Sequence, residues 1–395
     1  MNDDILKSDV QQFIKDNLAT DIHKILLSKS KFEGVTSKEL VEQIESKIKS
    51  KTKLPTWFNS KNIYYPNKLN LSQTSSEITA DYKASLFKGN MIVDVTAGFG
   101  VDSYAFSKKF KQVIHIEKSE ELSKIANYNY KQLGVNNIEC ISTDGISYLE
   151  ITTNTFDCLY IDPSRRDKDN KKVYYLSDCE PDVTAQLSSL LLKTVNILIK
   201  TGPLLDLKNG LRELKHVEEI HIVAINNDVK EVLWLIRKGF NEEPVIKTVN
   251  FKTNNIQKFK FRLCDEQKAK PTYSLPLAYI YEPNAAILKS GSFQFLSEFY
   301  NLNKIHPNSH LYTSDQLIEF PGRIFKVIKI HDYSKKSFKK ESITHANVSV
   351  RNFPDSVSKV RKKLSIQDGG KNYLFCTTNI DENLIIISCF QIFKN

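Results

Sequence analysis

Short apolar runs alternate with amphipathic helices through the middle of the chain. The predicted strands are 91–95, 112–116, 137–141, 156–161, 195–200 and 219–225. Regular alternation of strands and helices is typical of a parallel sheet that is covered by helices on both faces. The middle of the chain is therefore predicted to form an α/β fold.

The flanking regions follow other patterns. Residues 1–66 keep apolar side chains at helical spacing, which predicts a small helical module. The α/β pattern fades around 245–265, and the charged, proline-containing stretch 264–276 is typical of a linker. Beyond it, Pro283 and Gly291 bracket a predicted short helix. Further strand-like runs lie at 323–330, 345–350, 372–377 and 383–392.

A chain of 395 residues exceeds one ordinary core of about 100–200 residues, so several domains are expected. The predicted domains are a helical module (1–66), an α/β domain (67–263), a linker with a small ferredoxin-like α+β segment (264–322) and a basic α+β domain (323–395).

Several classes of protein are disfavoured by the composition. The six cysteines are widely spaced and the histidines show no ligand spacing, so we expect neither a disulfide framework nor a metal site. No apolar run approaches the ~18 residues that a membrane span needs, and the N-terminus is acidic where a signal peptide is basic. A cytoplasmic location without membrane contact is expected.

Positive charge is concentrated in the C-terminal part. Residues 247–395 contain 23 basic and 12 acidic residues, a net charge of +11, whereas residues 1–246 carry −1. Such asymmetry is typical of a chain in which one part binds a polyanion. A lysine-rich solvated surface is the alternative.

The stretch from Met91 to Asp102 predicts a nucleotide-type binding loop. A buried strand ends in Asp94 and runs through Gly98 and Gly100 into a helix, which permits a tight turn and close approach of a ligand. Ser103 occupies the place where a dinucleotide fold has Gly or Ala, which disfavours NAD.

Two more acids follow successive predicted strands. Glu117 ends the second strand, where a doubly wound fold binds a ribose diol, and Asp144 follows the third. Acids at three strand ends suit a cationic, phosphate-free nucleoside, and S-adenosylmethionine (SAM) has that character. Strand-end capping is the alternative for each acid taken singly.

Over roughly residues 70–250 the sequence resembles the class I SAM-dependent methyltransferases, which have a Rossmann-like sheet. The resemblance implies that the loop 94–100 wraps the methionine part, that Glu117 binds the ribose and that Asp144 binds the adenine. It also implies that the segment before the first strand closes over the methionine end. The implied cofactor-binding residues are Ser76, Glu77, Thr79, Asp94, Thr96, Ala97, Gly98, Phe99, Gly100, Glu117, Lys118, Asp144, Gly145 and Asp162.

The fourth predicted strand runs into Asp162-Pro163-Ser164-Arg165, where amino-methylating members of the superfamily carry Asn/Asp-Pro-Pro-Tyr/Phe. An acceptor such as Asp162 would align an amine for in-line displacement, so these four residues are the predicted catalytic group. The missing aromatic removes the ring that would stack on a flipped base. Arg165 and Arg166 either bind a phosphate or base or pair with neighbouring acids such as Asp167.

The sequence does not support covalent methylation at pyrimidine C5. That reaction needs a nucleophilic cysteine thiolate in this loop or after the next strand, and the chain has Ser164 and Thr201-Gly202-Pro203 at these places.

A basic, aromatic stretch follows the predicted linker. Residues 323–363 contain 12 Lys and Arg against three acids, interleaved with aromatic side chains. Basic residues attract phosphates and aromatics stack on unpaired bases, although a core with solvated lysines fits the alternation equally well.

The order of these segments is similar to a bacterial family of class I methyltransferases with a THUMP-like C-terminal domain, most specifically at 162–166 and 281–291. That resemblance implies tRNA or rRNA as the substrate. The prediction is a SAM-dependent methyltransferase of structured RNA that acts on a base nitrogen. The alternatives are a methyltransferase of a protein or small molecule, aminocarboxypropyl transfer to RNA, and an RNA-binding protein without activity.

Overall fold

The structure is a computed structural model that describes residues 1–165, 175–339, 341 and 343–392. The chain divides into two compact units. The first consists of Met1–Glu218 with Leu233–Asn241, and the second of Glu219–Val232 with Glu242–Asn395.

Helices precede the first strand, as predicted for the N-terminal module. Besides a short 3-10 helix at Asp3–Leu6, they are α1 Ser8–Asp16, α2 Ile22–Leu27, α3 Ser37–Lys53, α4 Pro55–Asn59, α5 Lys68–Gln73 and α6 Glu77–Ser85. A capping box begins α3, where Thr36 and Glu39 exchange hydrogen bonds.

The α/β part of the first unit follows. Its strands are β1 Gly89–Asp94, β2 Phe110–Glu117, β3 Ile138–Ser142, β4 Cys158–Ile161, β5 Ser164–Arg165, β6 Cys179–Glu180 and β7 Asn196–Thr201. Its helices are α7 Val101–Ser107, α8 Glu120–Gln132, α9 Gly145–Ile151, the 3-10 turn Leu176–Asp178, α10 Val183–Lys193 and α11 Leu207–Glu213.

The next two strands are β8 Val217–Ile225 and β9 Asp228–Arg237, and residues Leu233–Arg237 of β9 belong to the first unit. The sheet order within that unit is β3-β2-β1-β4-β7-β9. The pairs β1 with β2, β2 with β3, β1 with β4 and β4 with β7 are all parallel. The carboxyl ends of these strands therefore lie along one edge, where ligands bind in open α/β sheets.

The second unit contains the remaining elements. Its strands beyond β8 and β9 are β10 Val245–Lys252, β11 Asn255–Arg262, β12 Tyr279–Pro283, β13 Asn303–Lys304, β14 Tyr312–Ser314, β15 Gly322–Asp332, β16 Asn347–Arg351, β17 Asn372–Thr378 and β18 Leu384–Ile392. Its helices are α12 Leu263–Lys268, α13 Ala285–Ser290, α14 Gln294–Phe299, α15 Lys335–Lys339 and α16 Val357–Leu364.

The strands of this unit belong to two sheets. One is β11-β10-β8-β9, in which β10 is parallel to β8 and antiparallel to β11. The other is a seven-stranded sheet of order β13-β14-β12-β15-β18-β17-β16. The predicted boundary at 322/323 falls at the start of β15, which pairs with β12, so it lies inside one sheet.

Three details differ from the sequence prediction. The sheet does not end near 245, because β10 and β11 form a hairpin, and β11 alternates exposed and buried residues as a half-buried strand does. The expected linker contains α12, which Asp265 caps at its first turn. Pro283 ends β12, and Asn284 rather than the proline begins the following helix by accepting the Ile287 N–H.

Candidate cofactor and catalytic site

Two glycines shape the loop between β1 and α7. Gly98 and Gly100 have φ values of +57° and +90°, in the left-handed region that favours glycine. A Cβ at Gly100 would lie 2.0 Å from the Tyr130 hydroxyl oxygen, so this position admits no side chain. A Cβ at Gly98 would meet nothing closer than the Thr96 carbonyl at 4.0 Å, so this side of the loop is open.

Asp94 supports the loop from beneath. It is fully buried, and its carboxylate accepts hydrogen bonds from Ser103 Oγ at 2.7 Å and from the Thr96 N–H at 3.2 Å. Burial raises the pKa of the Asp94 carboxyl well above its usual range, in spite of these hydrogen bonds. These contacts fix the shape of the loop, and direct cofactor binding by Asp94 stays a prediction.

The rest of the loop is anchored to three elements. The Phe99 ring packs against Trp57 of α4, with ring centroids 4.7 Å apart. The Ala97 N–H donates to the Ile116 carbonyl of β2 at 3.0 Å. Thr96 Oγ1 accepts the Asp162 N–H at 2.7 Å, which joins the loop to the segment after β4.

Glu117 lies beside the open side of the loop. One of its carboxylate oxygens accepts the Gly98 N–H at 2.9 Å and the other accepts the Ser119 N–H at 2.7 Å. Each carboxylate oxygen can accept two hydrogen bonds, so the group keeps capacity for two hydroxyls. The neighbouring Lys118 is mostly exposed, and its Nζ lies 3.7 Å from Glu180 Oε1.

Asp144 caps α9 at the end of the third strand. Its Oδ1 accepts the Ser147 N–H at 3.0 Å, and the side chain is half-buried. A Cβ at Gly145 would lie 2.2 Å from the Val95 carbonyl oxygen. The glycine therefore allows the Asp144 turn to pack directly against the loop after β1.

The segment before β1 is held by helix caps. Ser76 Oγ accepts the Thr79 N–H at 3.3 Å at the start of α6. The Glu77 carboxylate accepts hydrogen bonds from the Thr56 N–H at 2.7 Å and from its hydroxyl at 2.9 Å, at the start of α4. Closure of Ser76, Glu77 and Thr79 over a cofactor stays a prediction.

The segment after β4 presents a carboxylate at the same edge of the sheet. Asp162 Oδ2 accepts a hydrogen bond from Lys200 Nζ at 2.6 Å, and the Asp162 side chain is 29% exposed. Pro163 is buried, and Ser164 Oγ donates to the Glu180 carbonyl at 3.3 Å. The Arg165 side chain and Arg166 lie outside the described residues.

Sequence reasoning did not single out Lys200. It lies near the carboxyl end of β7, the strand next to β4, where its ammonium group fixes the position of the Asp162 carboxylate. A basic residue at the end of an otherwise apolar predicted strand is the signal that could have identified it.

A buried polar network behind the loop was also missed. Lys83 is fully buried, and its Nζ lies 3.1 Å from Asp102 Oδ1 and donates to Ser75 Oγ at 2.8 Å. Asp102 Oδ2 accepts hydrogen bonds from Ser75 at 2.8 Å and from the Tyr160 hydroxyl at 3.0 Å. The network joins α6, α7 and β4, and the signal for it is that Lys83 shares a helix face with Ala80 and Ala84.

Two absences hold for the residues that the structure describes. No group of three or more His, Cys, Asp and Glu side chains in this part of the chain is arranged to hold a metal ion. None of the described helices combines the length and the apolar character that crossing a membrane requires.

The comparison that decides the family is a crystal structure of a candidate methyltransferase from Porphyromonas gingivalis W83. It is 32% identical to this chain, covers 98% of both chains and has a TM-score of 0.89. The chain belongs to this methyltransferase family. It is the class I SAM-dependent family with a THUMP-like C-terminal domain, and SAM is its cofactor.

Family models agree with this assignment along the chain. Residues 21–161 match the protein-L-isoaspartate(D-aspartate) O-methyltransferase model, 279–321 match a ferredoxin-like domain and 322–389 match a THUMP-like domain.

Two curated relatives match parts of the methyltransferase. Ribosomal RNA small subunit methyltransferase J of Francisella tularensis subsp. novicida is 31% identical over 80 residues, which are 18% of this chain and 33% of the relative. An uncharacterized RNA methyltransferase of Mycoplasma mobile is 24% identical over 185 residues, or 43% of this chain and 51% of the relative. The chain thus spans a third to a half of the length of these relatives.

The residues at the loop fit SAM. The open side of Gly98 leaves room for a ligand, and Glu117 keeps acceptor capacity for the two ribose hydroxyls. The half-buried Asp144 carboxylate provides an acceptor for an adenine amino group. No basic side chain for a pyrophosphate comes from this loop, in keeping with a phosphate-free cofactor.

Proposed function

We propose that the protein is a SAM-dependent methyltransferase that acts on structured RNA, tRNA or rRNA, at a base nitrogen. The observation that carries this proposal is the Asp162 carboxylate, which is linked to the cofactor loop through Thr96 and held by Lys200. It provides a hydrogen-bond acceptor at the edge of the sheet where the cofactor and the substrate of this fold meet.

Asp162 would orient the amine that is methylated. SAM, when bound, supplies an electrophilic methyl group for in-line transfer. The Asp162 carboxylate would accept a hydrogen bond from the amine N–H, which directs the nitrogen lone pair towards the methyl carbon. As the new N–C bond forms and the S–C bond breaks, the same carboxylate would take the proton that leaves the nitrogen.

Lys200 would keep this acceptor in place. An ammonium group 2.6 Å from Oδ2 restricts rotation of the carboxylate and leaves Oδ1 to face the substrate amine. The Asp162 backbone N–H is bound by Thr96, so the main chain and side chain are fixed from two strands. Such preorganisation lowers the cost of aligning the amine when the substrate binds.

Two observations support RNA as the substrate. The curated relatives that match part of the chain are named as RNA methyltransferases. Residues 247–395, most of the second unit, carry a net charge of +11, which attracts a phosphate backbone.

The direct test is to incubate the purified protein with isotope-labelled SAM and total RNA from a deletion strain, and to identify the modified nucleoside by mass. We expect one additional methyl group on an exocyclic or ring nitrogen. Label on protein or on a small molecule, with none on RNA, would contradict the proposed substrate. A mass gain equal to an aminocarboxypropyl group would contradict methyl transfer while keeping the cofactor.

A further inference from the structure

Two arginines of the second unit share one buried carboxylate. Glu282 of β12 is only 4% exposed in its side chain, and Arg323 of β15 lies directly opposite it in the strand register. Glu282 Oε2 accepts from Arg323 Nε at 2.7 Å, and Oε1 accepts from Arg351 Nη2 at 2.7 Å. Each arginine side chain stays about one-third exposed, at 33% and 36%.

This arrangement holds more positive charge than Glu282 neutralises. One carboxylate compensates one guanidinium, so the trio has a net charge of +1 at a partly desolvated place. The excess also acts on Lys252, since burial and, in addition, the nearby Arg323 charge lower the pKa of its ammonium group. Cations repel one another strongly at reduced solvent exposure. An anion that binds between them relieves this repulsion and lowers the free energy of the complex.

The remaining donor groups are of the kind that bind phosphate. A guanidinium carries five N–H donors in a planar fork, and Glu282 uses only part of those on each arginine. The Arg323 guanidinium carbon lies 5.4 Å from the Phe325 ring centroid and 5.9 Å from that of Tyr373, so two aromatic rings restrict its orientation. A preoriented arginine loses less entropy when it binds a tetrahedral oxyanion.

A half-buried histidine with a buried, unpaired nitrogen lies nearby. His310 stacks on Phe293 with ring centroids 3.6 Å apart, and its Nδ1 is buried without a hydrogen-bond partner. Burial, together with the charges of Lys304 and Arg351, lowers the pKa of His310 to about 4. A neutral imidazole at this place can donate or accept one hydrogen bond without neutralising the arginines.

We propose that Arg323 and Arg351, oriented by Glu282, bind a phosphate group of the RNA substrate. This inference rests on the proposed function, since it locates on the second unit a contact that positions RNA without reading its sequence. Phosphate contacts of this kind fix the orientation of a nucleic acid, whereas base contacts provide specificity.

The test compares two substitutions that break the same ion pair but change the charge in opposite directions. Arg351→Gln removes a cation and Glu282→Gln removes the anion. We expect Arg351→Gln to weaken binding of total tRNA by about tenfold and to reduce the slope of log Kd against log salt by about 1. Glu282→Gln keeps both cations and an amide oxygen that accepts from them, so it should weaken RNA binding less than Arg351→Gln and leave the salt slope unchanged. A merely structural trio predicts that both variants weaken RNA binding to the same extent with no change in the salt slope, which would overturn the proposal.

The controls use the full chain and measure SAM binding and thermal unfolding in parallel. Lys326→Gln removes an exposed charge three residues from Arg323 on the same strand and should change RNA affinity by less than about twofold. Arg351→Lys keeps the charge and should restore part of the affinity if the other variant unfolds.

The source of the phosphate is tested with inorganic pyrophosphate as a probe. If Arg351→Gln loses thermal stabilisation by pyrophosphate but binds RNA normally, the ligand is a small phosphate compound and the RNA assignment is overturned. If the wild-type protein methylates RNA and all variants bind RNA equally well, only this phosphate site is overturned. Wild-type protein that methylates no RNA overturns the proposed function itself, and the site with it.

Discussion

At the scale of single residues, the candidate active site depends on carboxylates with unlike surroundings. Asp94 is buried, and its carboxylate supports the loop by accepting two hydrogen bonds. Glu117 and Asp144 are half-buried at the strand ends, and Asp162 is paired with Lys200. Carboxylates therefore support the loop at Asp94 and are the proposed ligand acceptors and base at the other positions, according to their exposure and partners.

Replacement of Asp162 tests the chemical step. We expect Asp162→Ala to lower kcat by about 10²–10³ while the Kd for SAM stays close to the wild-type value, because the carboxylate acts on the substrate amine. Single-turnover methylation and calorimetry measure the two quantities. If Asp162 only stabilises its turn, the variant will lose thermal stability and its remaining activity will fall in proportion to the unfolded fraction.

Replacement of Glu117 tests cofactor binding. Glu117→Gln should weaken SAM binding by about 10- to 150-fold, since a hydrogen bond to a charged group contributes roughly 1.5–3 kcal/mol. Glu139→Gln is the matched control, because Glu139 lies near the amino end of the adjacent strand β3. Equal SAM affinities for the two variants would remove Glu117 from the cofactor site.

His115 predicts a pH dependence of stability. It is fully buried beside the Tyr130 hydroxyl, and burial lowers its pKa to about 3. Between about pH 6.5 and 3 the unfolded chain binds the additional proton, so the free energy of unfolding falls as the pH falls. From pH 7 to pH 5 this group alone should remove about 2 kcal/mol.

The measurement is urea-induced unfolding at both pH values. His115→Asn retains an N–H donor for the Tyr130 hydroxyl oxygen but cannot titrate, so its loss of stability on acidification should be smaller by that amount. His23→Asn replaces an exposed histidine of the same unit and should follow the wild type. Identical acid sensitivity of wild type and His115→Asn would contradict the assignment.

At the scale of elements, the cofactor loop is held by neighbours from both sides. Trp57 of α4 packs on Phe99, and Tyr130 of α8 donates a hydrogen bond to the Gly100 carbonyl at 3.0 Å. The Lys83–Asp102 pair then connects α6 to α7 across the interior. These contacts restrain the loop from α4 and α8.

The Lys83–Asp102 pair makes a prediction for stability. Lys83→Met leaves a buried carboxylate without its cation, which typically costs about 3–5 kcal/mol. The double variant Lys83→Met with Asp102→Asn should recover much of this loss, because no unpaired charge remains. Thermal unfolding of the two single variants and the double variant measures the coupling. Additive effects of the two substitutions would show that the pair is not coupled.

At the scale of the whole molecule, the candidate cofactor site and the excess of positive charge lie in different parts of the sequence. The residues of the candidate cofactor site belong to the first unit, while the excess of positive charge belongs to residues 247–395. The sheet of the second unit is built from strands on both sides of residue 322. Removal of 323–395 would leave β12 without its partner β15, so point substitutions test RNA binding better than truncation.

The charge distribution predicts RNA binding that depends strongly on salt. Counterion release makes log Kd rise linearly with log salt, by about 0.7–0.9 for each phosphate that is neutralised. With six or more contacts, the affinity for tRNA should fall by about a thousandfold between 50 and 200 mM salt, whereas SAM affinity should change little. Filter binding at several salt concentrations measures the slope. A flat profile would contradict binding through the phosphate backbone.

The sequence by itself determined the α/β order of the first unit, because apolar periodicity and strand-end glycines act locally. It also located the acids at three strand ends, since the carboxyl ends of parallel strands share an edge. The hairpin β10–β11 was missed although β11 alternates exposed lysines with buried residues, which is the local signal of a half-buried strand.

Only the tertiary structure decided which charges meet. Lys200 is 38 residues from Asp162, Lys83 is 19 residues before Asp102, and Arg351 is 69 residues from Glu282. No local pattern encodes such pairs, because each depends on which strands and helices become neighbours in the folded chain. Burial then sets the consequence of each pair, since a charge removed from water is stabilised only by the partner that the fold brings to it.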